Sequence, residues 1–321
     1  MEMYEGPDRV EFSELLGRPI RQGTFQELSI SDRQRVEQSL QAKDLAGLTQ
    51  YWGYLQAGHQ IMTALAVEWA LRWKQEIGVA GFERASTALE QTWSEAESAL
   101  GTTILEFLRG CSGLEFSLEG QLDEAVSVLE PASQGDWEGA RQAFEKAFAK
   151  ARIWHDILFR FSWAAMSVIH QDQGQAEAEA TIRRVLTSTA FYEPSWQQTA
   201  SLNSRQLAVF LAEHLRLHFS GPDGAGVEIR EENGHIRLKL APCGSGGAMR
   251  RVVGSHPGFA RFSEASAMTW GRTDVPAYCS HCALNEIESK KRLGEVRWVT
   301  EFQPDDERAC GWSIPLDRPV S

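Results

Sequence analysis

Residues 240–247 read Leu240-Ala241-Pro242-Cys243-Gly244-Ser245-Gly246-Gly247, and the pattern of the chain changes at this stretch. Before it, from Ser31 to Phe219, apolar residues recur three and four positions apart, which predicts a largely helical region. After it, glycine and proline divide the chain into short segments that favour strands and loops. We therefore expect an α+β protein, with a mainly helical N-terminal region and a small C-terminal α+β metal-binding domain.

The start of the helical region is marked by a local signal. Ser31 followed by Gln34 is the pattern of a capping box, and Asp32 suits the positive end of the helix dipole. Residues 1–30 contain several Gly and Pro turn signals, so we expect an irregular leader there. Such a leader is expected to pack along the surface of its own subunit or against a partner subunit. In the second case the protein would be a homodimer.

Two parts of the helical region carry the same markers in the same order and at similar intervals. The markers are Asp44–Gly47, His59 and Gly78 in the first part, and Asp136–Gly139, His155 and Gly174 in the second. A duplication is the simplest explanation, with a first repeat at 31–133, a second at 134–240, and one or two strands ending each repeat. Chance similarity between two amphipathic helical stretches is the alternative. The first repeat has no cysteine matching Cys243, so we expect it to be a scaffold without a metal site.

Composition and charge limit the classes of function. The chain has 32 basic and 44 acidic residues and a formal charge of −12, without a Lys/Arg cluster of the kind that binds nucleic acid. The N-terminus lacks a basic segment followed by an apolar run, and Glu68 and Arg72 interrupt the most apolar helix. We therefore expect a soluble cytoplasmic protein that binds neither nucleic acid nor membranes. In that reducing compartment, cysteines serve as metal ligands or reactive thiols more often than as disulfides.

Four of the five cysteines lie in the segment 241–321, where they predict a metal site. Cys243 follows a predicted strand, Cys279 and Cys282 precede a predicted helix from Ala283 to Arg292, and Cys310 begins a closing strand. Four thiolates brought together by folding suit tetrahedral zinc. An iron–sulfur cluster is the less favoured alternative, because the chain lacks the close run of cysteines found in ferredoxin-type proteins.

Residues near the cysteines are candidates for the chemistry of the site. His281, His256 and Tyr278 are the candidates for proton transfer. Candidates for binding an anionic substrate are Arg250, Arg251, Gly244 and Ser245, in and after the glycine-rich loop. His214 and His218 are one helical turn apart, which suits either metal chelation or, as we favour, a role at the helix end.

Several C-terminal segments resemble those of a poorly characterised bacterial family with Pro-Cys-Gly-Ser-Gly-Gly and Tyr-Cys-x-His-Cys motifs. The segments are Leu240–Gly247, Thr269–Gly271, Val275–Cys282 and Cys310–Trp312. The ending Asp305–Trp312 is also similar to small cysteine-containing domains such as vinyl-reductase-like and aminothiazoline-carboxylate-hydrolase-like proteins. The resemblance implies a shared cysteine site and transfers no substrate.

These observations favour a zinc-dependent enzyme, a hydrolase or a lyase, that acts on a small anionic metabolite. One alternative is a non-catalytic ligand-binding or sensor protein, in which four thiolates close a structural zinc site. A second alternative is an enzyme that uses Cys243 as a nucleophile and has a base close to that thiol.

Overall fold

The computed structural model describes residues 6–14, 16–117, 125–190, 192, 198–220, 224, 226–240, 242–305 and 310–317. The helices are α1 (Phe25–Leu28), α2 (Asp32–Ala42), α3 (Leu45–Glu90), α4 (Glu95–Gly110), α5 (Ala125–Ser133), α6 (Trp137–Gln173), α7 (Gln175–Thr187), α8 (Ser204–Arg216), α9 (Gly246–Val253) and α10 (Ser280–Leu293). The strands are β1 (Arg9–Ser13), β2 (Arg18–Gln22), β3 (Glu228–Glu232), β4 (His235–Leu240), β5 (Arg261–Phe262), β6 (Val275–Pro276), β7 (Val299–Glu301) and β8 (Cys310–Pro315). Two short 3₁₀ helices cover Ala267–Thr269 and Ala277–Cys279. This mixture of helices and small sheets agrees with the predicted α+β class.

The long helices α3 and α6 lie side by side and form the centre of the helical part. Their facing sides are apolar, and Trp73, Trp154 and Trp163 are among the largest fully buried side chains. Helices α4 and α7 pack against this pair and contribute to the same core. Burial of such large aromatic surfaces is the main source of stability for helices of this length.

Both long helices begin and break with the same local structure. Asp44 and Asp136 cap them by accepting a hydrogen bond from the backbone N–H three residues later. Gly78 and Gly174 have φ values of 63° and 85°, which L side chains rarely adopt, and the helix is interrupted at each of them. The predicted strand at the end of the first repeat is absent from the described residues 113–117, which form a loop. The duplication therefore stays a prediction supported by matching caps and breaks.

The N-terminal leader is more regular than the sequence indicated. Strands β1 and β2 form an antiparallel hairpin in which Arg9 is opposite Gln22 and Ser13 is opposite Arg18. The side chain of Arg21 is fully buried, and it forms ion pairs with Asp8 and Asp32 at 2.6 Å each. The prediction of an irregular leader is wrong for these residues, because buried ion pairs together with the burial of Ile20 hold the hairpin in place.

One four-stranded sheet crosses the predicted boundary between the second repeat and the C-terminal region. Its strand order is β3-β4-β8-β7, and β4 pairs with β8 so that Leu240 is opposite Cys310. The strand pair β3-β4 agrees with the pair predicted to end the second repeat. The sheet thereby brings the end of the chain back to the glycine-rich loop that follows β4.

Two further features of the structure bear on the predictions about membranes and about the family resemblance. None of the described helices has both the length and the apolar character that a membrane crossing requires. Ala241 and residues 306–309, which belong to the motifs that carry the family resemblance, lie outside the described residues.

Candidate functional site

All four predicted metal ligands line one cavity of about 160 Å³. The cavity lies where α8, the sheet, the loop after β4 and the start of α10 meet. Cys243, Cys279 and Cys310 are each 8–9% exposed. The fifth cysteine, Cys111, is the C-cap of α4 and does not belong to the cavity lining. Folding therefore brings together the cysteines that the sequence grouped.

Each cysteine is positioned by the element that carries it. Cys310 is the first residue of β8, and Cys243 follows the end of the neighbouring strand β4. Cys279 is the N-cap of α10, and Cys282 lies in the first turn of that helix. The helix begins three residues earlier than predicted, so Cys282 is part of the helix and does not precede it. Two strands and one helix start thus supply the four thiols.

The four thiols line one cavity, but this proximity alone does not amount to a metal-binding geometry. Within the described part of the chain, no group of three or more His, Cys, Asp or Glu side chains is arranged so that it could hold a metal ion. The donor set of four thiols suits a soft ion such as zinc. Zinc and its four ligands therefore stay a prediction.

The glycine-rich loop is shaped by close packing. A Cβ atom on Gly244 would lie 1.7 Å from the carbonyl oxygen of His218, so only glycine fits there. The Gly244 N–H donates to the Ser220 hydroxyl at 3.0 Å and is therefore already in use. A Cβ on Gly246 would lie 3.0 Å from the Cys279 sulfur. We predicted Gly244 as a substrate-binding residue, but it allows the loop to approach the end of α8 and is not part of the cavity lining.

A thiol–imidazole pair lies at the start of α10. His281 Nε2 is 3.3 Å from the sulfur of Cys282, and His281 Nδ1 is 2.7 Å from the carbonyl oxygen of Tyr278. Because a carbonyl only accepts, Nδ1 carries the proton and the lone pair of neutral His281 is on Nε2. The ring of His281, a predicted candidate for proton transfer, therefore faces Cys282.

The positive charges of the cavity wall come from two buried arginines. Arg250 and Arg297 are 2% and 1% exposed, and both line the cavity. None of the described residues that line it is Asp or Glu. A wall with two guanidinium groups and no carboxylate favours a negatively charged occupant, even though the chain as a whole has a formal charge of −12. Arg297 belongs to this wall, although no sequence motif marks it as a candidate site residue.

Arg250 also has a structural role. Its Nη1 donates to the carbonyl oxygens of Gln303 and Pro304 at 3.0 and 3.1 Å. Its guanidinium lies 5.6 Å from the centre of the Phe302 ring, and Phe302 stacks on Trp270 with 5.0 Å between ring centres. These aromatic rings add apolar surface to the cavity beside its polar groups, a combination that is typical of small-molecule sites.

Burial controls the charge state of the thiols. Burial raises the pKa of Cys282 well above its usual value, and nearby Cys279 and Cys310 raise it further. The pKa values of Cys279 and Cys310 are also raised, first by burial, while Arg250 partly opposes the shift in both. Cys279, Cys282 and Cys310 therefore favour their neutral form, and a cation in contact with the sulfurs would be needed to make several thiolates stable together.

The other predicted site residues differ in position. Ser245 lines the cavity, and its hydroxyl oxygen is 3.7 Å from the Cys243 sulfur. Tyr278 is fully buried behind the lining, and burial raises the pKa of its hydroxyl well above the usual value. Arg251 is exposed and lies outside the lining.

His256 does not belong to the cavity either. Its Nε2 is 2.8 Å from the Gln91 side-chain oxygen, and its Nδ1 accepts from the Gly258 N–H at 3.0 Å. It connects the end of α3 to the loop after α9. The expectation that His256 transfers a proton at the cysteine site is therefore wrong in position, because the loop after α9 carries this ring toward the end of α3 and away from the cavity.

His218 is a cavity residue for which a role at the helix end was expected. It lies two residues after the end of α8 and lines the cavity together with His214. Its Nδ1 contacts His155 Nε2 at 3.1 Å, across to the middle of α6. The equivalent positions of His59 and His155 in the two predicted repeats were the available signal, but equivalence between repeats does not indicate a link to the cavity.

Comparison with known proteins gives no relative for this chain. No protein-family model matches it, and no curated protein or solved structure matches it either. The family resemblance inferred from the cysteine motifs therefore stays a prediction.

Proposed function

We propose that this protein is an enzyme that binds a small anionic metabolite in the cysteine-lined cavity, beside a zinc ion held by Cys243, Cys279, Cys282 and Cys310. The observation that carries the proposal is the composition of the cavity wall, which combines four thiols from distant parts of the chain with two buried guanidinium groups. A core that only needed apolar contacts would not concentrate these groups in one place.

The anionic character of the metabolite follows from Arg250 and Arg297. Both guanidinium groups are withdrawn from solvent, where an interaction with a carboxylate or phosphate is stronger than at the surface. A cavity of about 160 Å³ is close to the size that accepts a benzene-sized molecule, so the ligand would be small. The stacked rings of Trp270 and Phe302 suit a ligand with an apolar or planar part.

The role of the ion depends on how many thiols bind it. If Cys310 stays outside the coordination shell, one position of the ion is open to the metabolite, and zinc would supply Lewis-acid polarisation there. If all four thiolates bind, the net charge of the site is 2−, which Arg250 and Arg297 would balance. The protein would then be the non-catalytic binding or sensor protein that we considered as an alternative.

A second candidate function rests on the contact between Cys282 and His281. The imidazole Nε2 lies 3.3 Å from the thiol and is oriented by the Tyr278 carbonyl, which is the arrangement of a nucleophile, its base and an orienting group. In that case the protein would be a metal-free thiol enzyme. Its nucleophile would be Cys282, because the nearest polar group described for Cys243 is the Ser245 hydroxyl.

The test is the metal content of the purified protein, with Cys111 as the internal control. We expect zinc bound in wild type and in Cys111→Ser, and loss of most of that zinc in Cys243→Ser, Cys279→Ser and Cys282→Ser. X-ray absorption at the zinc edge would count the sulfur ligands and decide whether Cys310 is among them. Anaerobic purification would show iron and sulfide if a cluster is bound instead.

Two outcomes contradict the zinc proposal. One is wild-type protein without zinc, and the other is zinc that stays bound when the cavity cysteines are replaced. In the first case, alkylation by iodoacetamide tests the second candidate. Selective labelling of Cys282 that slows in His281→Phe would support the thiol enzyme, while equal labelling of Cys282 and Cys243 would argue against it.

A further inference from the structure

A chain of three side chains connects the cavity to the outside of the helical part. His155 and Asp156 lie on α6, and His218 follows α8. Asp156 Oδ1 is 2.8 Å from His155 Nδ1, and His155 Nε2 is 3.1 Å from His218 Nδ1. The side chain of Asp156 is 19% exposed, whereas that of His155 is 1% exposed. The chain thus begins at a partly solvated carboxylate, passes through a buried ring and ends at a ring in the cavity wall.

The hydrogen bonds determine which nitrogen atoms carry protons. A carboxylate only accepts, so His155 Nδ1 carries a proton and donates it to Asp156. Neutral His155 then has its lone pair on Nε2, which accepts from a proton on His218 Nδ1. The lone pair of neutral His218 is consequently on Nε2, the ring nitrogen that is not bonded to His155. Because His218 is partly exposed and lines the cavity, this is the nitrogen available to a bound molecule.

We propose that His218 Nε2 is the proton acceptor of the cavity, and that His155 and Asp156 are positioning residues that set its tautomer and carry the charge away. The proposal deepens the proposed function and rests on it for the presence of a ligand in the cavity. It replaces His256 and His281 as the proton-transfer group. His256 lies elsewhere, and both ring nitrogens of His281 have partners, Tyr278 and Cys282.

The proton transfer balances as a relay. The bond between the ligand and its acidic proton breaks, the ligand keeps the electron pair, and a new N–H bond forms at His218 Nε2. The proton on His218 Nδ1 passes to His155 Nε2, so the positive charge moves to the ring beside the carboxylate. His155 then transfers its Nδ1 proton to Asp156, which releases it to water. Each ring gains one proton at Nε2 and loses one from Nδ1. Both rings return to the Nδ1–H tautomer when His218 Nε2 gives a proton to the product and Asp156 supplies a proton back to His155 Nδ1, and no oxidant or cofactor is consumed.

The surroundings of His218 explain why its charge has to move. Burial lowers the pKa of His218 well below its usual value, and His155, His281 and His214 lower it further. An imidazolium at this position is therefore unfavourable. His155 faces the Asp156 carboxylate on one side and also lies near His59, while Arg152 pairs with Asp156 at 3.5 Å. Of these charged and titratable groups, only Asp156 is an anion that stabilises a positive ring.

The direct test is the tautomer of each ring, measured by long-range ¹H–¹⁵N correlation on ¹⁵N-labelled wild-type protein. We expect the Nδ1–H tautomer at both His155 and His218. An Nε2–H tautomer at either ring in wild type overturns the proposal, and this measurement needs no variant to fold.

The variant Asp156→Asn and the matched control Asp172→Asn extend the test. Asp172 also lies on α6, where it pairs with Arg84 at the surface. In Asp156→Asn the amide can donate to His155, so we expect His155 and His218 to shift toward Nε2–H, whereas Asp172→Asn should match wild type. Spectra of Asp156→Asn that equal those of wild type would contradict the relay.

Chemical modification tests whether the lone pair on His218 Nε2 is free to react. Diethyl pyrocarbonate acylates neutral imidazole nitrogens, and mass spectrometry identifies the modified histidine. We expect modification of His218 in wild type and in Asp172→Asn, and a rate lower by about tenfold or more in Asp156→Asn, since removing the orienting carboxylate of such a triad leaves the wrong tautomer. Equal rates in all three proteins would refute the relay. Zinc content is measured separately on the same samples, so failure of the relay and failure of the zinc proposal are distinguishable.

Discussion

Replacing Glu213 with alanine is expected to lower the free energy of unfolding by about 3–5 kcal/mol, the usual cost of breaking a fully buried ion pair from one side. Glu213 lies on α8, whose C-terminal end carries the residues that reach the cavity. Its carboxylate joins α8 to the leader hairpin and to α3. The prediction therefore tests whether buried charge, and not apolar contact alone, fixes the position of the leader.

The magnitude follows from the number of donors that would lose their acceptor. Glu213 has no exposed surface. Its Oε1 accepts from Arg216 Nη1 at 2.8 Å and from the Arg21 backbone N–H at 3.3 Å. Its Oε2 accepts from the Tyr54 hydroxyl at 3.0 Å and from Arg18 Nη1 at 3.2 Å. Each buried donor left without an acceptor costs about 1–3 kcal/mol, and the two guanidinium groups would keep their charge.

Asp32 cannot take over the lost role. Its Oδ1 is 3.7 Å from Arg216 Nε and already pairs with Arg21 at 2.6 Å. The Arg216 charge would therefore stay buried with one distant anionic partner and its hydrogen bond to the Leu28 carbonyl oxygen. This is why the expected loss exceeds that for an exposed pair, which contributes about 0–1 kcal/mol.

Urea unfolding followed by tryptophan fluorescence measures the change. The matched control is Glu145→Ala, because Glu145 accepts two hydrogen bonds from Arg33 at 2.9 and 2.8 Å while being 45% exposed. We expect a loss of at most about 1 kcal/mol for that control. If Glu213→Ala loses no more than Glu145→Ala, the buried network does not stabilise the fold and the reasoning is refuted.

Two further predictions concern the loop and the pH dependence. Gly244→Ala should destabilise the protein by about 2 kcal/mol or more, because its Cβ would meet the His218 carbonyl oxygen at 1.7 Å. Gly53→Ala, in the interior of α3 with no atom within 4 Å of its Cβ, should be neutral or stabilising, and equal effects in urea unfolding would contradict the packing argument. Burial, assisted by His155, lowers the pKa of His59 from 6.5 to about 3. The unfolded chain therefore binds a proton at His59 more readily than the folded protein does. The stability that neutral, buried His59 contributes is consequently present above pH 6.5 and is lost as the pH falls toward 3. His59→Phe should make the fall of the urea midpoint over this range less steep, and an unchanged slope would show that His59 does not contribute to it.

Local features of the fold were predictable from the sequence because their causes are local. The capping box of Ser31 and Gln34 is formed as expected, since both hydrogen bonds lie within one turn. The helix breaks at Gly78 and Gly174 also follow from single residues, because glycine tolerates the positive φ at each of them.

The sequence predicted which types of residue form the candidate site, but it identified only some of the individual residues. Cys243, Cys279, Cys282 and Cys310 line one cavity, as their grouping in the sequence suggested, and their role as metal ligands stays a prediction. The choice of His256 failed because nearness along the chain does not determine which side of a loop a ring occupies. Arg297 carried no motif and became a candidate only when its burial against the cavity was known.

By itself, the sequence determined where helices begin and break and which residue types the C-terminal region could offer for chemistry. Tertiary structure alone decided that Arg21 and Glu213 hold the leader, that β4 pairs with β8, and that His155 reaches His218. The physical reason is the distance along the chain between the two partners of each interaction. Caps and turns depend on hydrogen bonds within a few residues, whereas buried ion pairs, strand pairing and the histidine chain join residues far apart in sequence. Their partners are selected by the packing of the whole molecule.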